Sequence, residues 1–161
     1  MDSGNVFGLV ESHLPLGITL IRLGIAAIFG AMIGFERGRH TAGEAGLRTH
    51  ILIAVAACLF TILTFEIFHT IEGAENRADP IRAIEAVTAG IAFLGAGAIF
   101  RGGGNVQGLT TGAGMWLAGA VGVACALGYY VTGLVVSLFA IVVLALLRRF
   151  SHHFVSGVDD R

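Results

Sequence analysis

Five long apolar runs, each followed by a short polar stretch, dominate the pattern along the chain. They cover about residues 14–35, 51–69, 81–100, 109–127 and 130–148. An α-helix rises 1.5 Å per residue, so runs of this length cross a hydrocarbon core of about 30 Å. The pattern predicts an all-α membrane protein, a compact bundle of about five transmembrane helices within residues 14–149. The tight turn at Gly128 leaves one bent or re-entrant element as an alternative for the last two runs.

The composition excludes the common soluble classes. Of 161 residues, 55% are hydrophobic and 13% are charged, and there are 24 glycines. Soluble domains carry about 25% charged residues. Disordered chains, nucleic-acid binders and ordinary soluble enzymes do not have this balance, and we expect a multi-pass membrane protein. The alternative, a soluble bundle of very apolar helices, would have almost no polar face to meet water.

The distribution of arginine predicts the orientation. With five spans, seven of the ten arginines fall on the side of loops 36–50 and 101–108 and of the tail, 150–161. Only Arg77 and Arg82 lie on the opposite side. The positive-inside rule then places the short N-terminal segment, 1–13, outside and the C-terminus in the cytoplasm.

Glycine and alanine are concentrated in the third and fourth runs, where they fill nine of 20 and nine of 19 positions. Small residues let helix backbones approach closely in lipid. We therefore expect helices three and four at the bundle centre or at a subunit interface, and a homo-oligomer to cover the remaining small-residue faces. The glycines expected to pack helices are Gly30, Gly34, Gly90, Gly95, Gly97 and Gly112.

Four charged residues are predicted to form a polar cluster in the outer half of the bundle. They are Arg22, Glu66, Arg82 and Glu85. A charge near the bilayer centre costs at least about 2.5–3.5 kcal/mol, and an opposite charge lowers that cost. Arg22 and Glu85 differ in depth by roughly 5 Å, which long side chains can bridge. Two interpretations stay open: a clamp between these two residues, with Glu66 at the interface, or an ion or proton site.

A second polar set lies where the helices meet the cytoplasm. Its members are Glu36, Arg37, Arg48, Thr49, Arg101, Asn105, Thr110 and Thr111, with His50 beside them. One interpretation is a polar vestibule at the inner mouth of the bundle. The other gives the arginines to topology and lipid headgroups, and a threonine to the N-cap of helix four. No complete catalytic motif occurs, so we expect no enzyme and no cofactor beyond an interaction with Mg²⁺; metal ligands stay unassigned.

Several motifs in order resemble the MgtC/SapB family of bacterial inner-membrane proteins. They are GFER at 34–37, AGLRTH at 45–50, GIAFLGAGAI at 90–99, and GLTTGA at 108–113 followed by Trp116. The resemblance implies a transmembrane domain of about five spans and a link to growth under magnesium limitation. It also implies that the better-known members carry a C-terminal cytoplasmic domain of the ACT type. Because the sequence ends at Arg161, we expect only the transmembrane domain here.

Two functions remain as hypotheses. The first is a regulator of membrane ion homeostasis that acts through helix contacts with other membrane proteins in the lipid bilayer. The second is a small magnesium or ion carrier or channel that uses the buried glutamates and arginines, since Mg²⁺ prefers carboxylate oxygens and retained waters. Nucleic acid is not expected as a partner.

Overall fold

The computed structural model describes residues 12–38, 46–70, 80–102 and 105–155. This part of the chain contains five helices and one β-hairpin. They are α1 (Leu16–Gly38), α2 (Leu47–Thr70), α3 (Pro80–Ala98), β1 (Phe100–Gly102), β2 (Asn105–Gln107), α4 (Leu109–Ala126) and α5 (Tyr130–Val155). The prediction of an all-α bundle of about five helices is confirmed, with the antiparallel β1–β2 hairpin as a small addition.

Four of the helices, α1 to α4, each contain at least 18 residues that are apolar enough to cross a membrane. In α5 the apolar section that the structure describes is Tyr130–Leu146. The turn between α4 and α5 passes through Gly128, whose φ of 83° is left-handed, and glycine adopts that conformation at no steric cost. The last two apolar runs are therefore separate helices, and the alternative of a single bent element is wrong.

The start of α4 differs from the sequence prediction. Gly108 occupies its N-cap position with φ of 82°, and no side chain caps the helix. Because α4 begins at Leu109, Thr110 and Thr111 lie inside its first turn, and neither occupies the N-cap position that was predicted for one of them. The physical reason is the hairpin, which delivers the chain to α4 in a left-handed conformation. A Cβ at this position would also meet the carbonyl oxygen of Ala98.

Helices α1, α2 and α4 form the centre of the bundle, α3 packs on α4 and α2, and α5 packs on α1 and α4. In α4, 56% of the apolar section is buried, against 11% in α3. Helix α4 therefore lies at the bundle centre, one of the two positions predicted from the small residues, whereas α3 does not. The reason is that α4 meets neighbours on several sides, whereas α3 turns much of its surface outward. For α3 the other predicted position, a subunit interface, stays a prediction.

The helices alternate in direction, which gives the bundle two distinct ends. At the Glu66 end, α1, α3 and α5 begin and α2 and α4 finish. At the His50 end, α2 and α4 begin, beside the β-hairpin. Polar side chains that were singled out in the sequence lie near both ends.

Candidate functional site

Glu66 holds the start of α1. Its half-buried carboxylate accepts hydrogen bonds from the backbone N–H groups of His13 and Leu14, both at 2.7 Å. These amides directly precede α1, so the negative charge lies at the positive end of the helix dipole. The ring of His13 also stacks on the ring of His69, with centroids 4.4 Å apart. Glu66 and His69 of α2 thus bind residues 13–14, which lead into α1.

Arg22 is bound to the opposite kind of helix end. Its Nη1 donates a hydrogen bond to the carbonyl oxygen of Ala126, the last residue of α4. A cation at that place complements the partial negative charge of a helix C-terminus. The guanidinium Nε is buried and has no hydrogen-bond partner within the described residues. Arg22 therefore joins α1 to the end of α4.

The predicted cluster of four charges does not assemble. Arg82 and Glu85 are exposed on α3, and within the described ranges no ion pair joins Glu85 to Arg22. The expected clamp is wrong because α3 packs on α4 and α2 instead of on α1. Backbone groups supply the partners instead. Arg22 binds a carbonyl of the last turn of α4, which lacks a partner inside that helix, and Glu66 binds two amides just before α1.

Substitution of Arg22 tests this assignment. We expect Arg22→Gln to lower the free energy of unfolding by about 1–3 kcal/mol, because a shorter neutral side chain leaves the Ala126 carbonyl without its donor. Thermal unfolding in detergent micelles measures the loss. Because residues 22 and 85 do not touch, a charge swap, Arg22→Glu with Glu85→Arg, should show a coupling below about 0.5 kcal/mol. Recovery of stability in the double variant would show that Arg22 and Glu85 do form an ion pair.

His50 is the side chain around which three helices meet at the other end, and it is fully buried. Its Nδ1 lies 2.9 Å from the carbonyl oxygen of Gly46, to which it donates a hydrogen bond. A carbonyl oxygen only accepts, so this contact places a proton on Nδ1. The backbone N–H of His50 donates to the same oxygen at 3.2 Å.

Three glycines leave the space that His50 fills. A Cβ built on Gly34 of α1 would lie 2.9 Å from the His50 Cβ, and one on Gly30 would lie 2.8 Å from the His50 carbonyl oxygen. From α4, a Cβ on Gly114 would lie 2.9 Å from the His50 Nε2. From the sequence, His50 was predicted only to lie at the membrane boundary, and its burial among glycines of α1 and α4 was not predicted. The available signal was the Gly30–Gly34 spacing, because both glycines face the AGLRTH motif.

The remaining predicted residues at this end lie apart from one another. Arg48 and Thr110 are exposed, Thr111 is buried, and Glu36 is half-buried at the end of α1. Thr49 lines a groove between α2 and α3. The side chains of Arg37, Arg101 and Asn105 lie outside the described residues. No group of three or more His, Cys, Asp or Glu side chains within the described ranges is arranged to hold a metal ion.

The predicted packing glycines divide into two groups. Gly30 and Gly34 lie against α2, and Gly95 and Gly112 lie against each other, with the Gly95 oxygen 3.0 Å from a Cβ built on Gly112. By contrast, a Cβ on Gly90 or Gly97 would have nothing within 4 Å. These last two do not pack helices within the described residues, because Gly90 lies on an open groove between α2 and α3 and Gly97 is exposed.

A groove of about 700 Å³ lies between α2 and α3. Its walls are almost entirely apolar and include Ala56, Phe60, Ala86, Gly90 and Leu94. The groove runs along the helices and opens to the side of the bundle, where a membrane protein meets lipid or another helix.

These features define the class of protein: a multi-pass helical membrane protein in which the partly buried Arg22 and Glu66 bind backbone groups at or just before helix ends. The MgtC family model matches residues 23–153, which is most of the sequence. The chain belongs to the MgtC family.

Named relatives agree with this family. The chain is 43% identical over 135 residues to Protein MgtC of Brucella abortus (strain 2308), covering 83% of this chain and 53% of the relative. It is 37% identical over 131 residues to the "Putative magnesium transporter YhiD" of Escherichia coli (strain K12), covering 81% and 60%. Protein SapB of Bacillus subtilis (strain 168) is 38% identical over 113 residues, covering 69% and 48%. The chain thus spans about half the length of these relatives. No solved structure matches it.

Proposed function

We propose that this chain is a membrane-embedded regulator of ion homeostasis, linked to magnesium limitation, that acts through helix contacts with other membrane proteins. Membership of the MgtC family supports the link to magnesium, as does the printed name of the Escherichia coli relative. The observation that carries the choice of regulator over carrier is the commitment of Glu66 and Arg22 to helix ends.

A transport group must exchange its protein partners for an ion and water in every cycle. Glu66 would have to release two hydrogen bonds to its carboxylate, each worth about 1.5–3 kcal/mol, and would free the start of α1. Arg22 would likewise release the end of α4. Groups that hold the bundle together in this way are better suited to a fixed scaffold than to a moving ion site.

The proposed setting is the bacterial inner membrane, with the Glu66 end outside and the His50 end in the cytoplasm. The arginine distribution supports this orientation, since α1 and α5 end, and α2 and α4 begin, at the His50 end, next to the arginine-rich segments of the sequence. The close packing around His50 would then lie at the cytoplasmic boundary.

A carrier is the second candidate function. One observation favours it: the Glu85 carboxylate is exposed about five residues into α3, where it is free of the helix-end contacts that hold Glu66. An exposed carboxylate can exchange ligands readily, and Mg²⁺ takes carboxylate oxygens while keeping several waters. The relative named as a magnesium transporter supports the same alternative.

Purified full-length chain in liposomes that enclose a magnesium-sensitive dye separates the two functions. The regulator predicts no magnesium influx above that of empty liposomes, together with improved growth in magnesium-poor medium when the chain is returned to a strain that lacks it. Influx that Glu85→Gln abolishes would overturn the regulator in favour of the carrier. Glu85→Asp, which keeps the carboxylate at the same exposed site, is the matched control and should retain the influx of a carrier. If the chain gives neither magnesium influx nor improved growth, both functions are contradicted.

A further inference from the structure

One face of α3 is exposed along its whole length. With a rotation of 100° per residue, the positions that share this face are Arg82, Ala86, Ala89, Gly90, Phe93 and Gly97, all of them exposed. We call these six residues the α3 face. Glu85, also exposed, lies at its edge.

The α3 face and its edge carry two charges that have no partner in the part of the chain that the structure describes. Within the described residues, neither Arg82 nor Glu85 has a hydrogen bond or an ion pair. The two are three residues apart, so they lie about 4.5 Å apart along the helix axis. Glu85 lies about 7 Å beyond the first residue of α3, and its short side chain reaches water less readily than an arginine does. A counter-charge from outside the chain would lower the cost of both residues in lipid.

A second copy of this chain supplies that counter-charge at the correct depth. A twofold axis along the bilayer normal sets two α3 helices parallel and at equal depth, and each contact then occurs twice. Arg82 of one copy faces Glu85 of the other, and the reciprocal pair forms across the same axis. Both charges of each copy are neutralised by one symmetric contact.

The surface beside these charges also fits a second helix. The space above Gly90 and Gly97 is open, so two backbones can approach closely there. Phe93 is 79% exposed on the same face, and the α2–α3 groove of about 700 Å³ lies directly beside it. A ring from a neighbouring chain can fill a groove walled by small residues such as Ala56 and Ala86.

We propose that two copies of this chain associate in parallel through the α3 face, with two reciprocal Arg82–Glu85 ion pairs and with Phe93 of each copy in the α2–α3 groove of the other. This contact would be the subunit interface that the small residues of α3 predict as the alternative to a central position. It does not depend on whether the protein regulates or transports.

Complementary charge reversal tests the ion pairs. The full chain is labelled with donor and acceptor dyes and reconstituted in liposomes, and energy transfer reports association. Arg82→Glu alone and Glu85→Arg alone should each weaken association by about tenfold, because like charges then face each other across the axis. A mixture of the two variants should associate as the wild type does, because every facing pair is again of opposite sign. A mixture that associates no better than its components overturns the proposal, as does wild-type association in either single variant.

A phenylalanine pair tests the groove. Phe93→Ala should weaken association by about tenfold, whereas Phe139→Ala on α5, at a side chain 67% exposed, should leave it unchanged. Both side chains are exposed, so neither truncation opens a core cavity, and far-ultraviolet circular dichroism checks the helix content. Equal effects of the two substitutions, or no effect of Phe93→Ala, would overturn the seating of Phe93 in the groove.

Discussion

Alanine at Gly122 is expected to lower the free energy of unfolding by at least about 3 kcal/mol, near the upper end of the cost of overpacking a core. Its Cβ would meet the carbonyl oxygen of Ala54 and would lie 3.0 Å from the carbonyl carbon and 3.1 Å from the Cα of that residue. These are backbone atoms of α2, which cannot rotate away. Helices α2 and α4 would have to separate at the centre of the bundle. Thermal unfolding in detergent micelles measures the loss.

Two other glycines provide matched controls. Alanine at Gly119 would meet the Cδ1 of Ile91, the far end of a flexible side chain, so a change of rotamer costing about 0.5–1.5 kcal/mol relieves the contact. At Gly24 nothing lies within 4 Å, and Gly24→Ala should raise stability by about 0.5–1 kcal/mol through helix propensity. We therefore expect the free energy of unfolding to decrease in the order Gly24→Ala, Gly119→Ala, Gly122→Ala. A loss at Gly24 as large as that at Gly122 would show that contact with α2 is not the cause.

The small residues illustrate what composition predicts and what it leaves open. Runs 81–100 and 109–127 have nearly equal shares of glycine and alanine, yet α4 is central and α3 is peripheral. A helix rich in small residues can be approached closely, but the sequence does not say from which side. On α3, Gly95 packs against α4, whereas Gly90 lies on the open groove between α3 and α2. That difference depends on how five helices are arranged, which is not encoded in any one of them.

The charges show a second limit. The rule that a charge within the membrane needs a partner predicted a cluster of opposite side-chain charges, whereas Arg22 and Glu66 bind backbone groups. Glu85 was the wrong partner for Arg22, because a helix terminus can take the place of an opposite side-chain charge. Each helix terminus carries roughly half an elementary charge and unpaired backbone groups, so it competes with an ionic side chain as a partner. The distances between helices decide that competition, and they were not available from the sequence.

His50 was missed for a local reason. The apolar pattern predicted that the second helix begins at residue 51, whereas α2 begins at Leu47, one turn earlier. That extra turn is polar, and hydrophobic periodicity cannot detect it. It carries His50 into the bundle, where the glycines of α1 and α4 enclose it.

Truncation of His50 should therefore have a large effect. We expect His50→Ala to lower the free energy of unfolding by about 3 kcal/mol, within the range for removing a large buried side chain. The glycines around it have no side chains that could fill the cavity, and the hydrogen bond from Nδ1 to the Gly46 oxygen is also lost. Thermal unfolding in the same micelles measures the change.

His69→Ala is the control, because His69 is an exposed histidine near the far end of the same helix, where its ring stacks on His13. Its loss should stay below about 1 kcal/mol, since it opens no cavity in the core. If His50→Ala and His69→Ala destabilise equally, enclosure by α1 and α4 does not stabilise the bundle. If only His50→Ala destabilises, and the variant also fails to support growth in magnesium-poor medium, the packing of three helices around this imidazole maintains the functional form of the protein.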